Sequence, residues 1–162
     1  MAEYYEILDK ARAQKSKIVK FLRKIKKNPP KNFETLFNQA QEKAVQRVDC
    51  TRCARCCKEL GPRVYKRDVE RFSKVLGMTT SEAFETYFRL DEDGDYVFKS
   101  MPCPFIDESN LCRIYPQRPK ACADYPNILE RGVKTRLTLL EKNLLICPMI
   151  YIAVEYVMKE SR

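Results

Sequence analysis

Apolar positions in the first third of the chain recur at the helical period. Tyr4, Ile7, Leu8, Ala11, Ile18, Phe21, Leu22 and Ile25 fall near one face and predict a long amphipathic helix. Pro29 and Pro30 end it, because proline offers no amide and restrains the residue before it. A second helix is predicted from about Asn32, with Phe33, Leu36, Phe37, Ala40, Ala44 and Val48 turned inward. Both stop short of a cysteine-dense stretch, so residues 1–48 read as a helical N-terminal extension that buttresses it.

The pattern then shortens. A helix from about Lys66 to Leu76 would bury Val69, Phe72 and Leu76, and Gly77 is placed to end it in a left-handed conformation. Thr79 with Glu82 forms a capping-box signature for a short helix burying Ala83, Phe84 and Tyr87. LDEDGDYVF predicts a small hairpin turning at Asp93–Gly94. Its acidic spacing suggests a calcium loop, but the twelfth position from Asp91 is Pro102, not the glutamate such a loop needs. Cys103 to Cys112 leaves room for a second extended hairpin through Asp107–Asn110. YPQRPKACADYP holds too many prolines for more than one turn around Arg118–Cys122. VKTRLTLLEKN predicts another helix, and Pro148 suits the start of a last one, MIYIAVEYVMKE. The fold class expected is mainly α: a compact helical domain with short β-hairpins and cysteine-rich metal-binding loops.

Composition bounds this picture without changing it. A chain of 162 residues, 44% hydrophobic and 33% charged, is expected to be one soluble domain spanning 1–162. At that size it buries roughly 68–70% of its unfolded surface, so it needs no crosslinks merely to fold. MAEYYEILDKARAQK has early acids and no apolar core of a secretory signal, and no window is long and apolar enough to cross a membrane. The expected compartment is the cytoplasm, where the glutathione pool disfavours structural disulfides.

That expectation changes the meaning of the eight cysteines, which more often hold metal when clustered in a reducing compartment. Cys50, Cys53, Cys56 and Cys57 form C-x2-C-x2-C-C, followed by Cys103, Cys112, Cys122 and Cys147. Closely spaced ligands have little loop entropy to lose, while distant ones lock the fold around the metal. Four thiolates make a tetrahedral zinc site or hold an iron–sulfur cluster such as a 4Fe-4S cube. Eight suffice for two sites without requiring two, and the adjacent Cys56 and Cys57 can face different metals. Cys50, Cys53 and Cys56 reproduce half of a bacterial ferredoxin run, and Cys103–Pro104 and Cys147–Pro148 supply Cys-Pro pairs elsewhere. Only one zinc knuckle is obvious. The chain has no histidine, so any other ligand must be oxygen, with Asp107, Glu108 and Asp124 nearby.

DCTRCARCCK, CPFIDESNLCRIYPQRPKAC and ADYP together resemble the bacterial and archaeal cysteine-cluster (CxxCxxCC) family, a zinc- or iron-chelating domain also found in flagellin lysine methylases. Its pattern, roughly C-x2-C-G-x-C-C, then C-P-F-L, C-x-I-Y and R-P-x-x-C-R-x-F-P, falls first on Cys50, Cys53, Cys56 and Cys57. It continues on Cys103, Pro104, Phe105 and Ile106, then on Cys112, Ile114, Tyr115, Arg118, Pro119, Cys122, Tyr125 and Pro126. The likeness covers about half the chain and extends toward Cys147–Pro148. Ala54 stands where glycine is common, which argues against a left-handed backbone there. Ala123 replaces a common arginine, so no activity needing that cation carries over. The resemblance implies metal chelation, with an iron–sulfur-dependent enzyme or electron-transfer component as an alternative. No glycine-rich loop for a nucleotide or adenosyl cofactor accompanies it.

Arg12 to Lys31 carries nine basic residues and no acidic one, within a net charge of +9. Lys20, Lys24 and Lys27 could present phosphate-binding charge to nucleic acid or an anionic protein, which would make a zinc-stabilised nucleic-acid-binding protein. The plainer reading is a solvated helix face. Arg118 could donate hydrogen bonds toward cluster sulfur, or else tie loop carbonyls or pair with Asp124. Tyr115 reads as packing around the metal loops rather than as an acid or base. There is no Cys–His pair and no H-E-x-x-H motif, so no catalytic residue is assigned.

Overall fold

The computed structural model describes residues 2–128 and 132–161. In chain order its elements are α1 (Ala2–Lys27), α2 (Phe33–Arg47), α3 (Cys50–Cys53), α4 (Arg55–Glu59), α5 (Lys66–Val75) and α6 (Thr80–Tyr87). There follow β1 (Phe88–Leu90), β2 (Tyr96–Phe98), α7 (Lys120–Asp124), α8 (Leu137–Asn143) and α9 (Pro148–Glu160). The protein is mainly helical with one short antiparallel hairpin. Backbone contacts gather into two compact units, residues 1–53 with 126–162, and residues 54–125.

In the first unit α9 packs against α1 and α2, and α8 against α1. The stripe predicted for α1 is the buried one: Tyr4, Ile7, Leu8, Ala11, Ile18, Leu22 and Ile25 are inside, with Phe21 half-buried. α2 contributes Phe33, Phe37, Ala40 and Ala44. α9 is apolar almost all round, burying every residue from Pro148 to Val154 and then Val157, as a helix enclosed by others must. Pro148 sits in its first turn, where no intrahelical amide is required. Polar tips tie the rim: Gln14 Nε2 donates to Tyr151 Oη at 2.9 Å, and Arg23 pairs with Glu141 at 2.8 Å.

The second unit is built around rings. Phe72, Phe88, Phe98 and Phe105 stack edge to face or tilted, with centroids 5.0–5.8 Å apart, and Val64, Val69, Ala83 and Ile114 complete the core. α5 ends at Gly77, whose φ of +66° is the left-handed conformation that glycine adopts without cost. The capping box at α6 forms: Thr79 Oγ1 accepts from the Glu82 amide at 3.2 Å, and Glu82 Oε2 accepts from the Thr79 amide at 2.7 Å. β1 and β2 pair Phe88 with Phe98, Arg89 with Val97 and Leu90 with Tyr96. Their turn is held by Asp91 Oδ1, which accepts from the amides of Asp93 and Asp95, so the acidic run serves as a turn.

The second predicted hairpin reduces to one isolated bridge, Ile106 to Cys112. Asp107 Oδ1 caps its tight turn by accepting from the amides of Ser109 and Leu111, each at 2.9 Å. The side chain thus works beside two backbone bonds, Asp107 amide to Leu111 carbonyl and Arg113 amide to Phe105 carbonyl, each at 2.9 Å. The segment predicted as one helix from Val133 divides into a 3-10 turn, Val133–Arg136, and α8.

Candidate metal centre

The first cysteines sit on short helices rather than in an open loop. Asp49 begins α3: its Oδ1 accepts from the Thr51 amide at 2.9 Å and from Thr51 Oγ1 at 2.6 Å. That hydroxyl, more than anything else, holds the Asp49 carboxyl below its ordinary range. One turn of helix places Cys50 and Cys53 three residues apart, hence on neighbouring faces, Cys50 exposed and Cys53 buried. Cys50 Sγ lies 4.0 Å from Met149 Sδ in the first turn of α9. Cys147 is the cap of that same helix, buried, with its amide bonded to the Asn143 carbonyl at 3.0 Å. Burial pushes its thiol up to about 12, and the nearby Cys50 and Cys53 add to the effect.

Between α3 and α4 stands Ala54, at φ +46° and ψ +16°. The left-handed backbone that alanine argues against is therefore present. The alanine carries the cost of that conformation.

The second unit holds the other five cysteines. Cys56 and Cys57 lie on α4 with their sulfurs 3.9 Å apart. The Cys56 thiol, with help from Lys58, outweighs burial and holds Cys57 down at about 7. The Cys57 carbonyl accepts the Cys103 amide at 2.8 Å, and Cys103 and Cys112 pack on the same phenylalanine core. Burial pushes Cys103 up to about 11, with Cys57 and Cys112 adding to it, and raises Cys112 as well. Cys122, on α7, is pushed up to about 12 by burial first and then by Cys57, Cys103 and Cys112. Cys103 and Cys122 therefore carry their protons at neutral pH, and a metal binding there would have to displace them.

One residue that the sequence did not single out organises this region. Asp68 is buried, 3% exposed, and uses both oxygens: Oδ2 accepts from the Tyr65 amide at 3.1 Å, and Oδ1 from the Lys120 amide at 3.1 Å. Arg71 completes the set at 2.8 Å. An acid at the third position of the helix predicted from Lys66 was its visible signal, but its bond to Lys120 spans 52 residues of sequence.

The remaining predicted site residues are spread around these elements. Arg118 lies 4.0 Å from the centroid of the Tyr115 ring and donates to the Tyr115 carbonyl at 2.8 Å, which is the carbonyl-tying role. Asp124 pairs with Lys120 at 2.6 Å rather than with Arg118. Tyr115 is exposed. Lys20, Lys24 and Lys27 are exposed along α1, and no ion pair involves them among the described residues.

None of the eight cysteines is in a disulfide. Among the described residues no group of three cysteine, aspartate or glutamate side chains is already closed around a metal position. The chemistry of the donor set nevertheless fits zinc or an iron–sulfur cluster: soft sulfur ligands, anchored on short elements, with no histidine in the chain to compete.

Fold and thiols together define a small helical cysteine-cluster protein. The model of the CxxCxxCC family, described as "Putative zinc- or iron-chelating domain", matches residues 49–148, and the chain belongs to that family. No curated protein and no solved structure matches the chain. No helix among the described residues is long and apolar enough to cross a membrane.

Proposed function

We propose that this protein is a cytoplasmic metal-binding protein that holds an iron–sulfur cluster, or zinc in its place, through its clustered cysteines. The observation that carries this reading is eight cysteines, none of them in a disulfide, in a chain whose residues 49–148 match a zinc- or iron-chelating family model. Cys50, Cys53, Cys56, Cys57, Cys103, Cys112, Cys122 and Cys147 form the ligand pool of one cysteine-cluster domain, 1–162. Arg118 and Tyr115 stiffen the loop that leads to Cys122, and Asp124 does so through Lys120. A bound cluster would supply one-electron chemistry, whereas zinc on four thiolates would supply a crosslink. Anaerobic purification followed by iron, sulfide and zinc analysis tests the proposal. Stoichiometric metal supports it, and folded, metal-free protein with its cysteines oxidised in pairs overturns it. A spectrum that bleaches reversibly on reduction would favour an electron-transfer or enzymatic role over a structural one.

A second reading, favoured by the exposed Lys20, Lys24 and Lys27, docks α1 on nucleic acid or an anionic protein. Such binding must weaken steeply with salt, so absence of RNA or DNA retention at low salt removes the nucleic-acid form of it.

A further inference from the structure

The eight cysteines divide between the two compact units, five in the second and three in the first. In the second, the Cys57 carbonyl holds the Cys103 amide at 2.8 Å, which fixes α4 against the start of the Cys103 loop. That loop returns through the Ile106–Cys112 bridge and the Arg113 amide on the Phe105 carbonyl at 2.9 Å, so Cys103 and Cys112 are brought back together on one core. Buried Asp68 grips the first amide of α7, which carries Cys122 two residues later. Arg71, on the same helix as Asp68, donates to the Arg118 carbonyl at 2.8 Å, and Phe72 beside it belongs to the core on which Cys103 and Cys112 pack, so α7 and Cys122 are tied to that core. In the first unit, Cys50 touches the first turn of the helix that Cys147 caps, with Cys53 one turn along from Cys50.

We infer that the protein carries two separate thiolate sites: Cys57, Cys103, Cys112 and Cys122 in one, and Cys50, Cys53 and Cys147 in the other. This rests on the metal-binding reading above. The two sites differ chemically. Four thiolates close a tetrahedral ion, whereas three leave a coordination position open to a ligand from outside the thiol set. Met149 Sδ, 4.0 Å from Cys50 Sγ, puts a further soft sulfur beside this set. The first site is therefore a structural lock, and the second is where exchange or chemistry can occur. Cys56 stands beside Cys57 as its hydrogen-bond partner.

Zinc added to the reduced, metal-free full-length protein is the probe. The expected load is about two ions per chain, falling to about one in the pair Cys103→Ser with Cys122→Ser and to about one in Cys50→Ser with Cys53→Ser. A chelator titration of the loaded wild-type protein, read by alkylation and mass spectrometry, needs no variant to fold. It should release Cys50, Cys53 and Cys147 together in one step, and Cys57, Cys103, Cys112 and Cys122 together in another. Release of all these thiols in a single step, or a load of one ion shared by cysteines of both sets, overturns the partition while leaving metal binding intact. No zinc bound, and no iron in protein purified without oxygen, overturns the underlying reading as well.

Discussion

In the first unit apolar burial is mostly aliphatic and comes mainly from long helices: Ile7, Leu8 and Ile18 of α1, Leu140 of the shorter α8, and Ile150 and Val154 of α9, with Phe33 and Phe37 of α2 the aromatic exception. In the second it is aromatic and comes from short elements, with Phe72, Phe88, Phe98 and Phe105 supplied by α5, the hairpin strands and the loop after Cys103. Long helices satisfy their own backbone and need only a stripe to pack. Short elements leave many backbone groups to side chains, and Asp68, Asp91 and Asp107 accept them one by one. The second unit also holds five of the eight cysteines. Where secondary structure is least able to order the chain, crosslinking through sulfur has the most to add.

Truncating the two cores should show this difference most strongly. Phe72→Ala removes a ring that touches both Phe88 and Phe105, with an expected loss of about 3–5 kcal/mol in the second unit. Ile150→Ala in α9 should cost about 2–5 kcal/mol in the first. Amide exchange followed by mass spectrometry reads where protection is lost. Loss confined to residues 54–125 in the first variant, and to α1, α2 and α9 in the second, is the expected pattern. Equal loss everywhere in both variants would mean that the units unfold as one.

Asp68→Ala is the next largest. It strands the amides of Tyr65 and Lys120 and releases Arg71, and the loss of charge-assisted bonds by a buried acid is worth about 2–3 kcal/mol. The denaturation midpoint should fall, with exchange rising first in α7, around Cys122. An unchanged midpoint would show that α7 is held by its other contacts.

A smaller effect separates the thiols by charge. In the metal-free protein, Cys57 deprotonates near pH 7 while burial keeps Cys103 and Cys122 protonated to about 11 and 12. Its folded value lies below that of an ordinary thiol, so the stabilisation it contributes is present above the unfolded value near 9 and fades as pH falls through 7. Iodoacetamide at neutral pH should therefore label Cys57 several-fold faster than an ordinary thiol, its larger thiolate fraction partly offset by weaker intrinsic nucleophilicity. The labelling rate should level off above about pH 8. A rate still climbing tenfold per unit at pH 9 would show that Cys56 does not hold the proton as described.

How much of this the sequence disclosed follows from how local each cause is. The α1 stripe, the Thr79–Glu82 box, Gly77 and the Pro148 start depend on neighbours within a turn or two, and all were legible. The cysteine spacing identified the family. What the spacing did not reveal is which cysteines meet. Cys50 finds Met149 and the Cys147 turn across 99 residues, and Cys57 finds Cys103 across a helix pair and a hairpin. Asp68 was missed for the same reason. The second hairpin was overestimated because its segment closes in a tight turn that Asp107 bonds, with a single bridge behind it.

Ala54→Gly carries the smallest expected effect and the sharpest local question. At φ +46° an alanine pays for a left-handed backbone about 1–2 kcal/mol that glycine does not. Against this, glycine frees the unfolded chain, at a cost of about 0.4–1 kcal/mol. It also removes a methyl that is 3% exposed and therefore packed. The buried methyl is worth about 0.8 kcal/mol, so the three effects nearly cancel and a net change within about 0.5 kcal/mol is expected. Chemical denaturation of the metal-free protein measures it. A loss of more than about 1 kcal/mol would mean that the buried methyl outweighs the strain. In that case alanine at this position is a packing choice, made where the chain passes from the cysteines of α3 to those of α4.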